Sequence, residues 1–143
     1  MIHTSKESIE KSMKDSAMLA LHAIPAEFST WSKIGGLPRL GENHSWPSWK
    51  GKPQSFLAQI DFGEMAAIAS LPDFPKTGRI FFFYDHEQST WGFDPKDEGS
   101  WTVLFQSVAS EDNAAVIAPE GVSEHGLYIE KPIGLHAIQS LPD

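Results

Sequence analysis

The 143 residues contain no cysteine. That excludes a disulfide scaffold, a thiolate metal site and a cysteine nucleophile, and it fits a reducing compartment. Positive charge is also short: 11 Lys and Arg stand against 19 Asp and Glu, for a net charge of −8. Such a chain lacks the long-range pull on phosphate backbones that nucleic-acid binders use, and anionic lipid surfaces repel it. A basic protein or a cationic ligand is steered in instead. No apolar run reaches the ~18 residues of a membrane span. The first residues are too polar for a secretory signal, so a cytoplasmic location is expected. No G-x-S-x-G elbow or G-x-x-x-x-G-K-[ST] phosphate loop occurs. The six histidines form no H-x₃-H or HExxH pair, and no carboxylate cluster has calcium-loop spacing. Neither a metal nor another cofactor is therefore expected, and no catalytic residue is assigned.

What is present suits one globular domain. Hydrophobic residues make up 41% and charged residues 21%, ordinary values for a packed core. Residues 4–23 place Ile9, Met13, Ala17, Ala20 and Leu21 at helical spacing behind a Thr4-x-x-Glu7 capping box, with Pro25 as the stop. They predict an N-terminal amphipathic helix, residues 1–25, packing on a β-rich domain, residues 26–143. "EFSTW" (27–31) reads as a short strand. Gly35-Gly36-Leu37-Pro38 reads as a tight corner, since paired glycines permit positive φ and proline extends its predecessor. Residues 41–53 read as an ordered loop anchored from within by Trp46 and Trp49, with Lys33, Lys50 and Lys52 in solvent.

"SFLAQIDF" (55–62) predicts a strand with Phe56, Ala58 and Ile60 on one face and Leu57, Gln59 and Asp61 on the other. Asp61 and Glu64 then cap a short helix. "RIFFFYD" (79–85) is the strongest strand signal, and its aromatic run implies cover on both faces and a central place. The 17 residues between Asp61 and Arg79 fit either a β-α-β crossover or a helix between antiparallel neighbours. Residues 86–100 form a polar loop holding Trp91 and Phe93. "WTVLFQ" (101–106), "GLYIEK" (126–131) and "IGLHAIQ" (133–139) read as further strands, with "NAAVIAP" (113–119) weaker and Pro132 at an edge or bend.

Lys33, Gly35, Gly36, Pro38, Trp46-Pro47, Gly51, Pro53, Phe56–Ile60 and Gly78–Phe83 stand in the order of a K-[IF]-GG-x-P turn, a WP step, a Gly–Pro pair, an F-L-A-Q-[IL] strand and a G-x-[IL]-x-F-F strand. In these motifs, over residues 32–85, the chain resembles the bacterial YwqG-like family of unknown function. The resemblance implies a mixed, β-rich fold with no established reaction. Typical members are longer, so it also implies a short or truncated member.

The expected fold is thus a single α+β domain with a mixed or mostly antiparallel sheet, an N-terminal helix and one short crossover helix. Three functions stay open. The first is a non-catalytic protein-interaction domain using loop tryptophans and acidic charge. The second is a small-ligand or carbohydrate module built on Trp46, Trp49 and Trp91, since indoles offer flat faces. The third is a hydrolase-like enzyme using Asp61, Asp85 and His86 at strand ends, where parallel neighbouring strands would bring both carboxylates to one sheet edge. The candidate binding residues are Lys33, Trp46, Trp49, Asp61, Asp85, His86 and Trp91.

Overall fold

Aromatic and β-branched side chains favour a pleated, half-buried backbone, and residues 79–84 and 101–106 are rich in them. In a computed structural model both are strands of one antiparallel sheet. The structure describes residues 14–20 (backbone only), 31–41, 43–69, 71–107, 115–122 and 124–140. In chain order the elements are β1 (Lys14–Ala20), β2 (Lys33–Ile34), β3 (Ser48–Trp49), β4 (Lys52–Pro53), β5 (Ser55–Asp61), α1 (Phe62–Ile68), β6 (Arg79–Tyr84), β7 (Trp101–Gln106), β8 (Lys131–Pro132) and β9 (Gly134–Ser140). Short 3₁₀ turns occupy Pro95–Asp97 and Glu124–Gly126. The main sheet runs β7-β6-β5-β2-β8. β1–β9 and β3–β4 form two antiparallel ribbons. Among the described residues this is one small α+β domain with an antiparallel sheet and a single α-helix.

β5 and β6 are antiparallel neighbours, from Ser55↔Tyr84 to Asp61↔Arg79. The helix therefore connects antiparallel strands rather than crossing over between parallel ones. Asp61 and Asp85 in consequence sit at opposite ends of the pair, about 20 Å apart at ~3.3 Å per residue. Centrality goes to β5, with β6 one strand from the edge.

A bulge between Phe56 and Ala58 corrects the expected faces of β5. The extra residue, Leu57, moves Phe56 onto the face of Gln59 and Asp61. On that face Phe56, Phe81, Phe83 and Leu40 form a core against Trp46, Leu104 and Val116. The opposite face carries Ile60, Phe62, Met65 and Ile133, packed with Ile80, Phe82 and Leu135. Both faces of β6 are covered, as its sequence implied.

Residues 14–20 are extended and pair with β9 from Lys14↔Ser140 to Ala20↔Gly134. Over this span the expected helix is corrected to a strand. A seven-pair backbone ladder overrides a local helical period that has weak intrinsic force. The rest of that helix, and residues 27–30 of "EFSTW", lie outside the described residues. Of "GLYIEK" only Lys131 pairs within a strand, and residues 115–119 of "NAAVIAP" form none.

The double glycine is the corner that its residues suggested. Gly35 and Gly36 both take positive φ (67° and 68°). Their N–H groups donate to Leu57 O and Tyr128 O, each at 2.8 Å. A Cβ on Gly35 would overlap Ile129 O and lie 2.9 Å from Tyr128 O, so the segment entering β8 is pressed against bare backbone.

Candidate functional site

Three groups of side chains hold the expected site residues. The first is a buried polar knot beneath the corner. Asp61 caps α1, its Oδ1 accepting from Glu64 N at 3.1 Å, while Oδ2 accepts from Arg79 Nε at 2.9 Å. Glu64 does not close a capping box. Its carboxylate instead accepts from Trp31 N (2.7 Å), Ser32 N (3.0 Å) and Ser32 Oγ (2.5 Å). Gln59 is fully buried, donating to Trp31 O (2.7 Å) and accepting from Arg39 N (3.0 Å). The Arg79 guanidinium lies 4.1 Å from the Trp31 ring centre, and that of Arg39 4.9 Å. Lys33 is buried beside this knot, its Nζ 2.5 Å from Glu130 Oε2. The solvated lysine expected there is corrected: β2 turns the side chain inward onto a partner 97 positions away. Each group is satisfied within the fold, and the arrangement is architectural.

The second group lies at the other end of β5 and β6. Lys50 and Gly51, both at positive φ (48° and 77°), close the β3–β4 hairpin as a two-residue turn. The hairpin and the end of β6 enclose a cleft of about 170 Å³, lined in part by Trp49, Lys52, Gln54, Asp85, His86 and Glu87. Asp85 is wholly engaged. Its Oδ1 accepts from Glu87 N (3.1 Å), and its Oδ2 from Ser89 N (3.0 Å) and Ser89 Oγ (2.8 Å). Burial pushes its carboxyl up, but the bonds from Ser89 and Glu87 and the nearby His86 outweigh burial and hold it below the usual range. A carboxylate held this way is a turn cap and a poor proton acceptor. Lys52 Nζ meets Glu87 Oε1 at 2.5 Å, a contact that raises the lysine and lowers the glutamate. His86 lies 4.0 Å from Asp85 Oδ1 and 3.8 Å from Glu87 Oε1. Trp49 closes the cleft by donating to Glu98 O at 2.9 Å, with Lys50 Nζ 4.0 Å from its ring centre. Of the expected residues the cleft gathers Trp49, Asp85 and His86. Trp46 is turned into the core instead, 5.5 Å from Phe83 and bonded to Gln54 O at 2.8 Å.

Trp91 belongs to the third group, an aromatic edge. It is 82% exposed and Phe93 91% exposed. Their loop is held by Asp97, which accepts from Trp91 N (3.2 Å) and Gly92 N (3.1 Å). A Cβ on Gly92 would sit 3.6 Å from the Trp101 ring, so loop and strand are adjacent. Trp101, Val103 and Phe105 alternate along β7 and are each about half exposed. α1 meets this face at Phe105, whose ring lies 5.7 Å from that of Phe62. Trp101, Val103 and Phe105 thus share one exposed face of β7, with Trp91 and Phe93 exposed in the neighbouring loop. Sequence reasoning missed Trp101, Val103 and Phe105. Their alternation was visible, but nothing local marks the last strand of a sheet.

The family model described as Domain of unknown function (DUF1963) matches residues 32–140. The chain belongs to this family. The matched span runs from β2 to β9, so all three groups fall within the DUF1963 domain apart from Trp31 of the polar knot. No curated protein matches the chain. Among the described residues, no helix is long and apolar enough to cross a membrane, and no group of His, Asp and Glu side chains is placed to hold a metal ion.

Proposed function

We propose that this DUF1963 domain is a non-catalytic protein-interaction module that docks its partner on the aromatic edge. The observation that carries this reading is the exposure of Trp91 and Phe93 beside the half-exposed row on β7. Leaving such a surface in water costs free energy that a partner recovers by burying it, and large aromatics dominate interface energetics. The loop 86–100 that supplies the patch contains Glu87, Asp94, Asp97 and Glu98 against Lys96 alone. The matching partner therefore presents apolar side chains ringed by Lys or Arg, and two copies of this surface repel one another. The motif resemblance supports a bacterial, YwqG-like protein, and the cysteine-free composition supports a cytoplasmic setting, while residues 14–20 join the 26–143 domain through their pairing with β9.

A small-ligand module is the second reading, favoured by the cleft under Trp49. The hydrolase-like reading has less support, because Asp61 is paired with Arg79 and lies at the opposite end of the strand pair from Asp85 and His86.

The test is capture from cells with the wild-type chain beside a Trp91→Ala/Phe93→Ala variant of unchanged circular dichroism. A partner retained by the wild type, weakened at 0.5 M salt (~4 Å screening length) and lost from the variant supports docking here. The same proteins retained by both chains overturn it.

A further inference from the structure

We infer that the partner is taken up as an extended segment, added as a further β-strand to the outer edge of β7. This rests on the docking reading above and goes further by naming the form of the partner.

The phase of the ladder carries the argument. Asp85 N donates to Ser100 O at 2.7 Å, and Asp85 and Ser100 stand opposite each other one step beyond Tyr84↔Trp101. In an antiparallel pair, hydrogen-bonded and non-bonded positions alternate. Thr102 and Leu104 therefore turn their N–H and C=O toward β6. Trp101, Val103 and Phe105 turn theirs outward, where no described strand pairs with them. The residues whose outward backbone groups pair with no described strand are thus the ones whose side chains form the exposed row.

Proteins guard such edges with charged residues, proline, bulges or a covering element. β7 reads WTVLFQ, with no charge and no proline, and its six pairs with β6 run without a register break. An added strand would satisfy the outward groups and set its alternate side chains beside Trp101, Val103 and Phe105. Asp94, Asp97 and Glu98, in the loop entering β7, favour a segment carrying Lys or Arg. The same charges disfavour edge-to-edge pairing of two copies.

The experiment uses the ¹⁵N-labelled full chain and a synthetic peptide of alternating valine and lysine, with and without N-methylation of alternate residues. Uptake as a strand slows amide exchange at Trp101, Val103 and Phe105 about tenfold at nine-tenths occupancy, since only the free edge exchanges. Thr102 and Leu104 stay unchanged, and the N-methylated peptide has no effect. If the Trp91 and Phe93 resonances shift while exchange at the three edge amides does not slow, strand addition is overturned and aromatic docking survives. No response anywhere overturns both. Edge protection that rises with protein concentration without peptide overturns the inference in favour of a second copy.

Discussion

Single residues separate the parts of this chain that hold shape from those left open. Gly35 and Gly51 both sit at positive φ, but Gly35 faces the backbone of Tyr128 and Ile129 while nothing lies within 4 Å of a Cβ on Gly51. Gly51→Ala meets only the left-handed penalty, about 1–2 kcal/mol. Gly35→Ala adds overpacking and should cost about 2–4 kcal/mol in urea denaturation. Equal losses at the two sites would refute the tight corner. Asp85 gives a pH signature. Its folded value is depressed, so its stabilisation is present above the unfolded value near 3.9 and vanishes as pH falls through the lower folded value. Wild type should lose more stability than Asp85→Asn between pH 5 and pH 2, measured by urea midpoints. At this scale the sequence was partly legible. The Gly–Gly corner and the Asp61 cap follow from local stereochemistry. The burial of Lys33 does not, because its partner Glu130 is remote in sequence.

At the scale of elements, one bulge and one buried ion pair arrange β5. The bulge at Leu57 puts Gln59 and Asp61 on the face where Arg79 waits. Removing one partner of a buried pair strands the other charge. Arg79→Leu should thus destabilise the fold by about 3–5 kcal/mol. Adding Asp61→Asn should recover part of that loss, since asparagine still caps α1. A double variant as unstable as the two single losses combined would contradict the pairing. The strands β5, β6, β7 and β9 were legible from alternation and aromatic content. The bulge, the antiparallel direction and the strand at 14–20 were not, because each depends on a partner elsewhere in the chain and not on local propensity.

Across the whole molecule, the proposed docking surface lies toward one side of the sheet. The glycine corner and the polar knot gather around β2 and the end of β5, where Lys33, Asp61, Glu64 and Arg79 are all engaged. The β7 side carries open aromatics and an acidic loop. Which strand is last in a sheet is a property of the completed fold, and this is why the aromatic edge was hidden in the sequence while Trp91 alone could be suspected. The charge of −8 bears at this scale too. On the proposed docking it would steer a basic partner toward the rim, and association should slow as salt rises. Ile129 offers an internal control, being as exposed as Trp91 (83%) but on the segment against the corner. The most direct measurement replaces Trp91, or separately Ile129, with a photo-reactive phenylalanine analogue and irradiates living cells. Docking on the aromatic edge predicts one discrete covalent adduct from position 91 and none from 129. No adduct at 91, or the same adduct from both positions, would contradict it.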